Sequence, residues 1–545
     1  MVRLLEDLCL RCIARNMAKL PASNLQWLTV TQKEVLLERM ASHQLLTSAV
    51  LPLATVHLLD SHLRTVVLDR CSQITDDVLA ALGCKARNLV KIRVTSCPNV
   101  SDAGLKGLLM HQQSLADLTL KGMSQLVRGT FLSAINCPET LTSVSLKNSR
   151  FIFASLVPLL VERNRRIAVL DVQNIHNLDD ATIAIIAQAL GKDLISLNVS
   201  KAAKISRPSL HALSTHCPNL ERLVLNSVNS YNGEGLNEVI KCCNISVLDM
   251  AFCFFLSGSA VGEIFQDQER RATLQRLHNC STVPDHYLMQ GVNSSALTQL
   301  EHLDLSGSPI ADAAVQFLCE KLGAQLASIN LAMCRNIGEQ TCVSIATYCT
   351  ALVSLNMAIH SQMTCAGLFP LFCNADRASQ FTHLDFDGCA KLAGSVLEEI
   401  ASSCVNAQSL NFSTCEVLCD STLVHIGQNC PHLTSLGVKR CNDVTDSGLL
   451  NIVHGCKSLR HLVASGCHKL TDYSMRALAE KCEHLASVYI SGNAYVSDAA
   501  AKYIEDMGHK RVHVVHRVPN RGDGIIVAKN LDTGLYQFAP DSDER

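Results

Sequence analysis

The sequence predicts an α/β solenoid, and three observations carry that reading. One residue pattern recurs at a near-constant step of 26 residues through most of the chain. Within each unit, a short stretch of inward leucines is followed by a stretch whose apolar residues have helical spacing. The composition is 48% hydrophobic, 18% charged and 4% aromatic, which supplies an aliphatic core and excludes a disordered chain.

Two neighbouring units make the pattern plain: HLTSLGVKRCNDVTDSGLLNIVHGCKS from His432 and SLRHLVASGCHKLTDYSMRALAEKCEH from Ser458. Both run LxxLxxxxC, then an aliphatic, Thr-Asp, a helical stretch and a cysteine before the next leucine. The ninth residue marks successive units at Cys71, Cys97, Met123, Ser149 and Ile175, and the series continues through Cys441 and Cys467 to Asn493. About seventeen repeats result. LxxLxL predicts a short strand, and the marker closes the turn after it. The xDxxLxxL stretch, as in Asp446, Leu449, Leu450 and Ile452, predicts a helix. One unit cannot bury its apolar face alone, so units must stack with strands on one side and helices on the other.

The repeat resembles the cysteine-containing leucine-rich repeats of F-box ligase receptors, from about Leu63 to His509. That resemblance implies a leucine-rich-repeat horseshoe with its strands on the concave side. The chain then divides into a helical head over 1–60, repeats over 61–509 and a cap and tail over 510–545.

The 26 cysteines sort by slot. Eight occupy the marker: Cys71, Cys97, Cys253, Cys334, Cys389, Cys415, Cys441 and Cys467. Seven more precede the next strand by three residues: Cys217, Cys242, Cys349, Cys404, Cys430, Cys456 and Cys482. Their spacing follows the repeat, so they are expected to pack as small buried hydrophobes. No paired CxxC or HxxxH ladder accompanies Cys9-Leu10-Arg11-Cys12, and phosphate-loop, dinucleotide, HExxH and GxSxG arrangements are missing. Neither a metal, a cofactor nor a catalytic residue is expected; the chain reads as a non-enzyme.

Net charge is −2, which gives no global electrostatic case for nucleic acid or a membrane. Charges interrupt the apolar residues of MVRLLEDLCLRCIARNM, so no signal segment is expected, and no apolar run is long enough to span a bilayer. A cytoplasmic or nuclear location with reduced thiols follows as an expectation.

Residues 1–60 do not follow the period. Leu5, Cys9, Ile13 and Asn16, with Leu8 and Cys12, line one side of a helix expected from Leu4 to Met17. A second helix is expected with Thr31 and Glu34 as a capping box and Val35, Leu36 and Met40 as its stripe, and a third from Leu45 to Leu53. Such a head can be a plain cap. The spacing Leu5-x-x-x-Cys9-x-x-x-Ile13 is also similar to the BC-box, the helix by which von Hippel–Lindau-type receptors dock on elongin C. LLEDLCLRCIARNM and VTQKEVLLERMASHQLL resemble the first two helices of Zyg-type receptors of cullin-2 ligases. That resemblance makes Leu5 and Cys9 the anchors on elongin C and Ile13 their support. The family's hydrophobic-Pro pair is replaced by Leu28-Thr29, and its armadillo region is not found here.

Numbering LxxLxLxxC from its first leucine, positions 3, 5, 7 and 8 are expected to point outward. They carry Lys91, Arg93, Lys121 and Lys147 in early repeats. Later they carry Asp249, Asp304, Asp385 and Asp387 around Phe252, Met333 and Ile359. Apolar residues ringed by carboxylates suit a basic or amphipathic protein segment. Repeat nine breaks its pattern at Asn279, with Pro284 following; the tail's two Gly-led segments can pair as a hairpin capping the last repeat, and a degron-binding or regulatory tail stays equally open.

What these readings imply together is a substrate-recognition adaptor: head on elongin B/C and a cullin, solenoid on a protein destined for ubiquitination. Two alternatives stay open, a non-ligase scaffold on the same solenoid and a diverged F-box adaptor binding Skp-type proteins.

Overall fold

A computed structural model of the chain describes residues 9–515, apart from 11, 20–24, 26, 43–44, 48, 124, 127–128, 138, 150–153, 176, 203, 254, 267–273, 279–284, 290–296, 361–364 and 508–511. Leu5, the repeat-nine break and the tail hairpin therefore lie outside the described residues. The chain forms two compact units, Met1–Leu256 and Ser257–Arg545, and its fold is an α/β leucine-rich-repeat solenoid.

In the first unit, parallel strands run from Thr65–Asp69, Lys91–Thr95 and Asp117–Lys121 to Val247–Asp249. In the second they run from Arg276–His278 and His302–Asp304 to His513–Val515. Thr65 stands opposite Lys91 and Ser435 opposite His461, so the sequence period is the register of the sheet. Positions 1, 4 and 6, such as Leu433, Leu436 and Val438, are fully buried. Helices such as Asp446–Gly455 and Asp472–Lys481 close each turn of the solenoid from the other side.

Three ladders tie repeat to repeat. The first is backbone: the N–H groups of positions 2 and 3 both donate to one carbonyl of the preceding strand, as Thr434 and Ser435 do to Gln408 at 2.8 and 3.0 Å. The second runs through the marker slot. Its cysteine donates Sγ–H to the position-6 carbonyl one repeat back, as Cys253 does to Leu225, Cys334 to Leu305 and Cys467 to Val438, each at 3.0 Å. Where the slot holds His360, Nε2 lies 2.7 Å from the Leu331 carbonyl, and where it holds Asn493, Nδ2 donates to Ala464 at 3.0 Å. Where the marker is Cys, His or Asn it is thus a buried donor as well as a filler of the core, whereas Met123 and Ile175 fill the slot by apolar volume alone.

The third ladder explains the Thr-Asp pair. Asp446, at the first position of its helix, accepts Thr471 N–H at 2.9 Å and Thr471 Oγ–H at 2.5 Å. Asp420 holds Thr445 and Asp472 holds Ser497 in the same way. Each helix N-terminus thereby fixes the next repeat's N-cap residue, and a carboxylate there also suits the helix dipole. Gly448 sits where a side chain would collide with the Asp420 carboxylate.

Several expectations move. The capping box of helix Val30–Ser42 is Thr29 with Gln32, not Thr31 with Glu34: Gln32 N–H donates to Thr29 Oγ1 and Thr29 N–H to Gln32 Oε1. Thr29 immediately precedes the first helical residue, so the pattern is met two residues earlier, and Glu34 is freed for another task. The third helix is Leu51–His57 rather than Leu45 to Leu53, because Pro52 belongs in a first turn and would break an interior. In the repeat before Cys253, a 25-residue step shifts the helix end, so Cys243 is the buried cysteine after the helix and Cys242 is exposed.

Every described cysteine is a free thiol. No helix among the described residues is long and apolar enough to cross a membrane. Among the same residues, no group of three or more His, Cys, Asp or Glu could hold a metal ion.

Candidate functional site

Among the described repeats, each strand from Thr65–Asp69 to Ser487–Tyr489 whose exit is described ends in a turn whose eighth position adopts a left-handed backbone. Its φ lies between 50° and 76° at Arg70, Ser96, Asn148, Phe252, Gly307, Met333, Ile359, Gly388 and their counterparts. The conformation lets the position-8 N–H reach the position-7 carbonyl of the next repeat, as Met333 does to Ala358 at 2.9 Å and Ile359 to Asp387 at 2.6 Å. Glycine or asparagine suits such a site, whereas a bulky or β-branched residue is strained there by about 1–3 kcal/mol. Phe252, Met333 and Ile359 accept that strain and are still 52%, 49% and 56% exposed. Arg70, Lys201, Thr414 and Arg440 share that backbone, so what sets these three apart is exposed apolar area at the strand exits.

The expected carboxylate ring around these residues is corrected. Asp249, Asp304 and Asp385 are only 2%, 6% and 8% exposed. Strands in a parallel sheet lie about 4.8 Å apart, so equivalent side chains of neighbouring repeats cover one another. From Asp304 to Asn411, position 5 in consequence belongs to an internal polar row. Asp304 accepts Asn330 Nδ2–H at 2.9 Å and Ser306 N–H at 2.9 Å; Asp385 accepts Asn411 Nδ2–H at 2.9 Å and Asp387 N–H at 3.0 Å. The side chain closes the strand's exit by capping an N–H two residues on, which Asn330, Asn356 and Asn411 also do. Burial pushes the Asp385 carboxyl up to about 7 and the His383 imidazole down to about 4. Asp387 is half-buried and bonded by Thr414 Oγ–H; burial raises its carboxyl, against the pull of Lys439 and Arg440.

In the second unit, then, Met333 and Ile359 stand on successive exit turns with glycines beyond them on both sides, Gly307 before and Gly388 after. Phe252 stands on an exit turn of the first unit, followed closely by the 68%-exposed Phe255. Sequence reasoning chose these apolar residues but missed why they stand out. Its available signal was the recurrence of glycine at position 8, in Gly122, Gly307, Gly388, Gly466 and Gly492, which marks a left-handed slot.

The head offers a second surface. Residues 9–10 and 12–16 are helical, and the helix buries Leu10, Ala14 and Met17, an i, i+4, i+7 stripe. Cys9 and Cys12 are exposed and Ile13 half-exposed, so these described members of the expected stripe lie on the side turned away from the core. Helix Val30–Ser42 instead packs on the first strand, burying Leu36, Leu37, Met40 and Ala41. Its Glu34 Oε1 accepts the N–H groups of Arg64 and Thr65.

The ladders, the 26-residue register and the strand-exit turns define a leucine-rich-repeat protein. The family model described as Leucine Rich repeat matches residues 429–453. Over 278 residues the chain is 22% identical to the DNA repair protein rhp7 of Schizosaccharomyces pombe, across 50% of this chain and 49% of that one. It thus spans about half the length of that curated relative. Among solved structures, yeast Rad7 from its complex with Elc1 is similar at 13% identity and TM-score 0.34, over 94% of this chain and 92% of that one. TLR13 from its complex with ssRNA13 is similar at 17% identity and TM-score 0.42, over 87% of this chain and 74% of that one.

Proposed function

We propose that this chain is the substrate-recognition adaptor of an elongin B/C–cullin RING ubiquitin ligase, acting in the cytoplasm or nucleus without catalysis of its own. The observation that carries the proposal is the division of labour in the head. The solenoid's open end is covered by helix Val30–Ser42, while the first helix turns Cys9, Cys12 and Ile13 away from the core that holds Leu10, Ala14 and Met17. A BC-box must present its anchors in this way, since Leu5 and Cys9 have to enter a partner's apolar pocket. In this reading the exit-turn residues Phe252, Met333 and Ile359, with the half-buried Asp387, contact the protein to be ubiquitinated.

Co-purification with elongin C tests the head. The wild-type chain should retain it and the Leu5→Ser/Cys9→Ser double variant should not. Equal, minimal recovery by both removes the ligase reading and leaves the non-ligase scaffold. That second reading draws on Glu34, whose capping role accounts for the second helix without any partner. Recovery of a Skp-type protein by both chains would instead select the F-box alternative.

A further inference from the structure

The strand face of the first unit differs in charge from the position-5 and position-7 rows just described. Its second to fourth strands present Lys91, Arg93, Lys121 and Lys147 at positions 3, 5, 7 and 7. Three carboxylates stand among or beside them, and Asp69 of the first strand accepts Thr95 Oγ–H. Asp117 takes Lys91, with Nζ to Oδ2 at 3.0 Å. Asp171 is flanked by both Lys147 and Lys121, and accepts Ser145 Oγ–H at 3.3 Å and Gln173 N–H at 3.1 Å. One buried-leaning carboxylate thus faces two ammonium groups. Arg93 is exposed and makes no ion pair among the described residues. The face carries an excess of positive charge on a low-relief surface, because its other members are short: Thr95, Thr119, Ser143 and Ser145.

We infer that this face binds an acidic segment of a partner protein, rich in Asp or Glu and lying across the second to fourth strands. The chemistry fits a carboxylate and not an apolar anchor: a guanidinium and two ammonium groups provide charge, while the neighbouring Thr95, Thr119 and Ser145 hydroxyls already donate to Asp69, Asp117 and Asp171. Arg93 lies one strand and two residues from Lys121, while Lys121 and Lys147 share a position on adjacent strands. Adjacent strands are about 4.8 Å apart and residues two apart on a strand about 6.6 Å, so the Arg93–Lys121 diagonal is roughly 8 Å. Carboxylates on alternate residues of an extended peptide recur at about 6.6–6.8 Å and can reach both ends of that diagonal. Asp117 and Asp171 add register by repelling an acidic residue placed opposite them. This inference stands independently of the elongin reading, which concerns the head.

The test uses the full chain and a fluorescein-labelled peptide of alternating glutamate and serine, followed by anisotropy. Wild type should bind it saturably, and binding should weaken steeply between about 50 mM and 300 mM salt as the charges are screened. Arg93→Glu with Lys147→Glu should weaken binding by about tenfold or more, since attraction becomes repulsion. Arg460→Glu with Lys502→Glu changes net charge equally on exposed residues of the second unit and should leave binding within about twofold. The neutral pair Arg93→Gln and Lys147→Gln should lie between, and it decides the matter if the reversed pair fails to fold by circular dichroism. No saturable binding by wild type, equal loss in both charge-reversed pairs, or no loss in the neutral pair overturns the inference.

Discussion

Glu34 takes the place of a carbonyl that Thr65 would find on a preceding strand: its Oε1 accepts Thr65 N–H at 2.7 Å and the adjacent Arg64 N–H at 2.6 Å. Elsewhere those two N–H groups converge on one backbone oxygen, as Val90 and Lys91 do on Arg64. The head therefore ends the sheet with a side-chain copy of the repeat's own hydrogen bonds, which blunts an exposed strand edge.

Replacing Glu34 by Ala should cost about 1 kcal/mol, since it removes a charged acceptor from one exposed and one part-buried N–H. Repeat proteins couple chiefly to nearest neighbours, so the loss should be local. Hydrogen exchange should quicken across Thr65–Asp69 and stay unchanged across Ser487–Tyr489. Glu34→Gln, which keeps an acceptor, should fall between.

The marker slot gives a second prediction. Cys415 donates to Phe386 and Cys441 to Phe412, at 3.2 and 3.3 Å. If the slot rewarded only apolar volume, Cys441→Val would be harmless. Because Cys441 donates to a buried carbonyl, Cys441→Val should destabilise by about 1–2 kcal/mol more than Cys441→Ser, which keeps a donor of similar size. Chemical denaturation of the two variants decides between the accounts.

The fold was legible because its period is enforced at every unit: each leucine, Thr-Asp pair and marker recurs where the same neighbour must be met. The site was legible only in part. Asp249, Asp304 and Asp385 looked outward by strand alternation, yet alternation says nothing of how closely the equivalent residues of adjacent strands cover one another. That is a property of the assembled sheet, and from Asp304 to Asn411 it turns position 5 into an internal row. Likewise, Glu34 looked like a cap of its own helix, because the pattern is local while its true partners lie some thirty residues on, at Arg64 and Thr65. Cys9 and Ile13 were placed on the helix that carries them, but which side faces the core depends on Leu10, Ala14 and Met17 finding their contacts.

Ile359 provides a prediction in which stability and binding should part. Its φ is 62°, while Gly388 occupies the same slot one repeat on at 73°. Ile359→Gly should relieve backbone strain and raise stability by about 1 kcal/mol, after allowing for glycine's extra entropy when unfolded. Gly388→Ile should lower it by about as much or more, since an added Cβ meets only ordinary contacts at Ile359 and the penalty is conformational. Paired denaturation curves should therefore move in opposite directions. If both fall, Ile359 is a packing residue and the exit turn loses its claim as a binding surface.

The last prediction concerns pH and two buried groups on one strand, His383–Asp385. Burial raises the Asp385 carboxyl from 3.8 to about 7. The folded chain then binds this proton more tightly than the unfolded chain, so the contribution is largest below pH 4 and is lost as pH rises to about 7. His383 runs the other way. Burial lowers its imidazole from 6.5 to about 4, so its contribution is present above pH 6.5 and lost as pH falls toward 4. In the wild type the two slopes oppose one another. Asp385→Asn removes one of them while keeping an oxygen for Asn411 and for Asp387 N–H, as Asn330 and Asn356 do at their own position 5. The variant should match wild type within about 0.5 kcal/mol near pH 4, where the folded carboxyl is protonated and the unfolded one is near its midpoint, and exceed it by on the order of 2 kcal/mol at pH 8. Denaturant titrations at the two pH values measure the difference directly. A variant equally or more destabilised at pH 8 than at pH 4 would show that Asp385 is ionised in the fold and that its carboxylate is held by more than Asn411 and one backbone N–H.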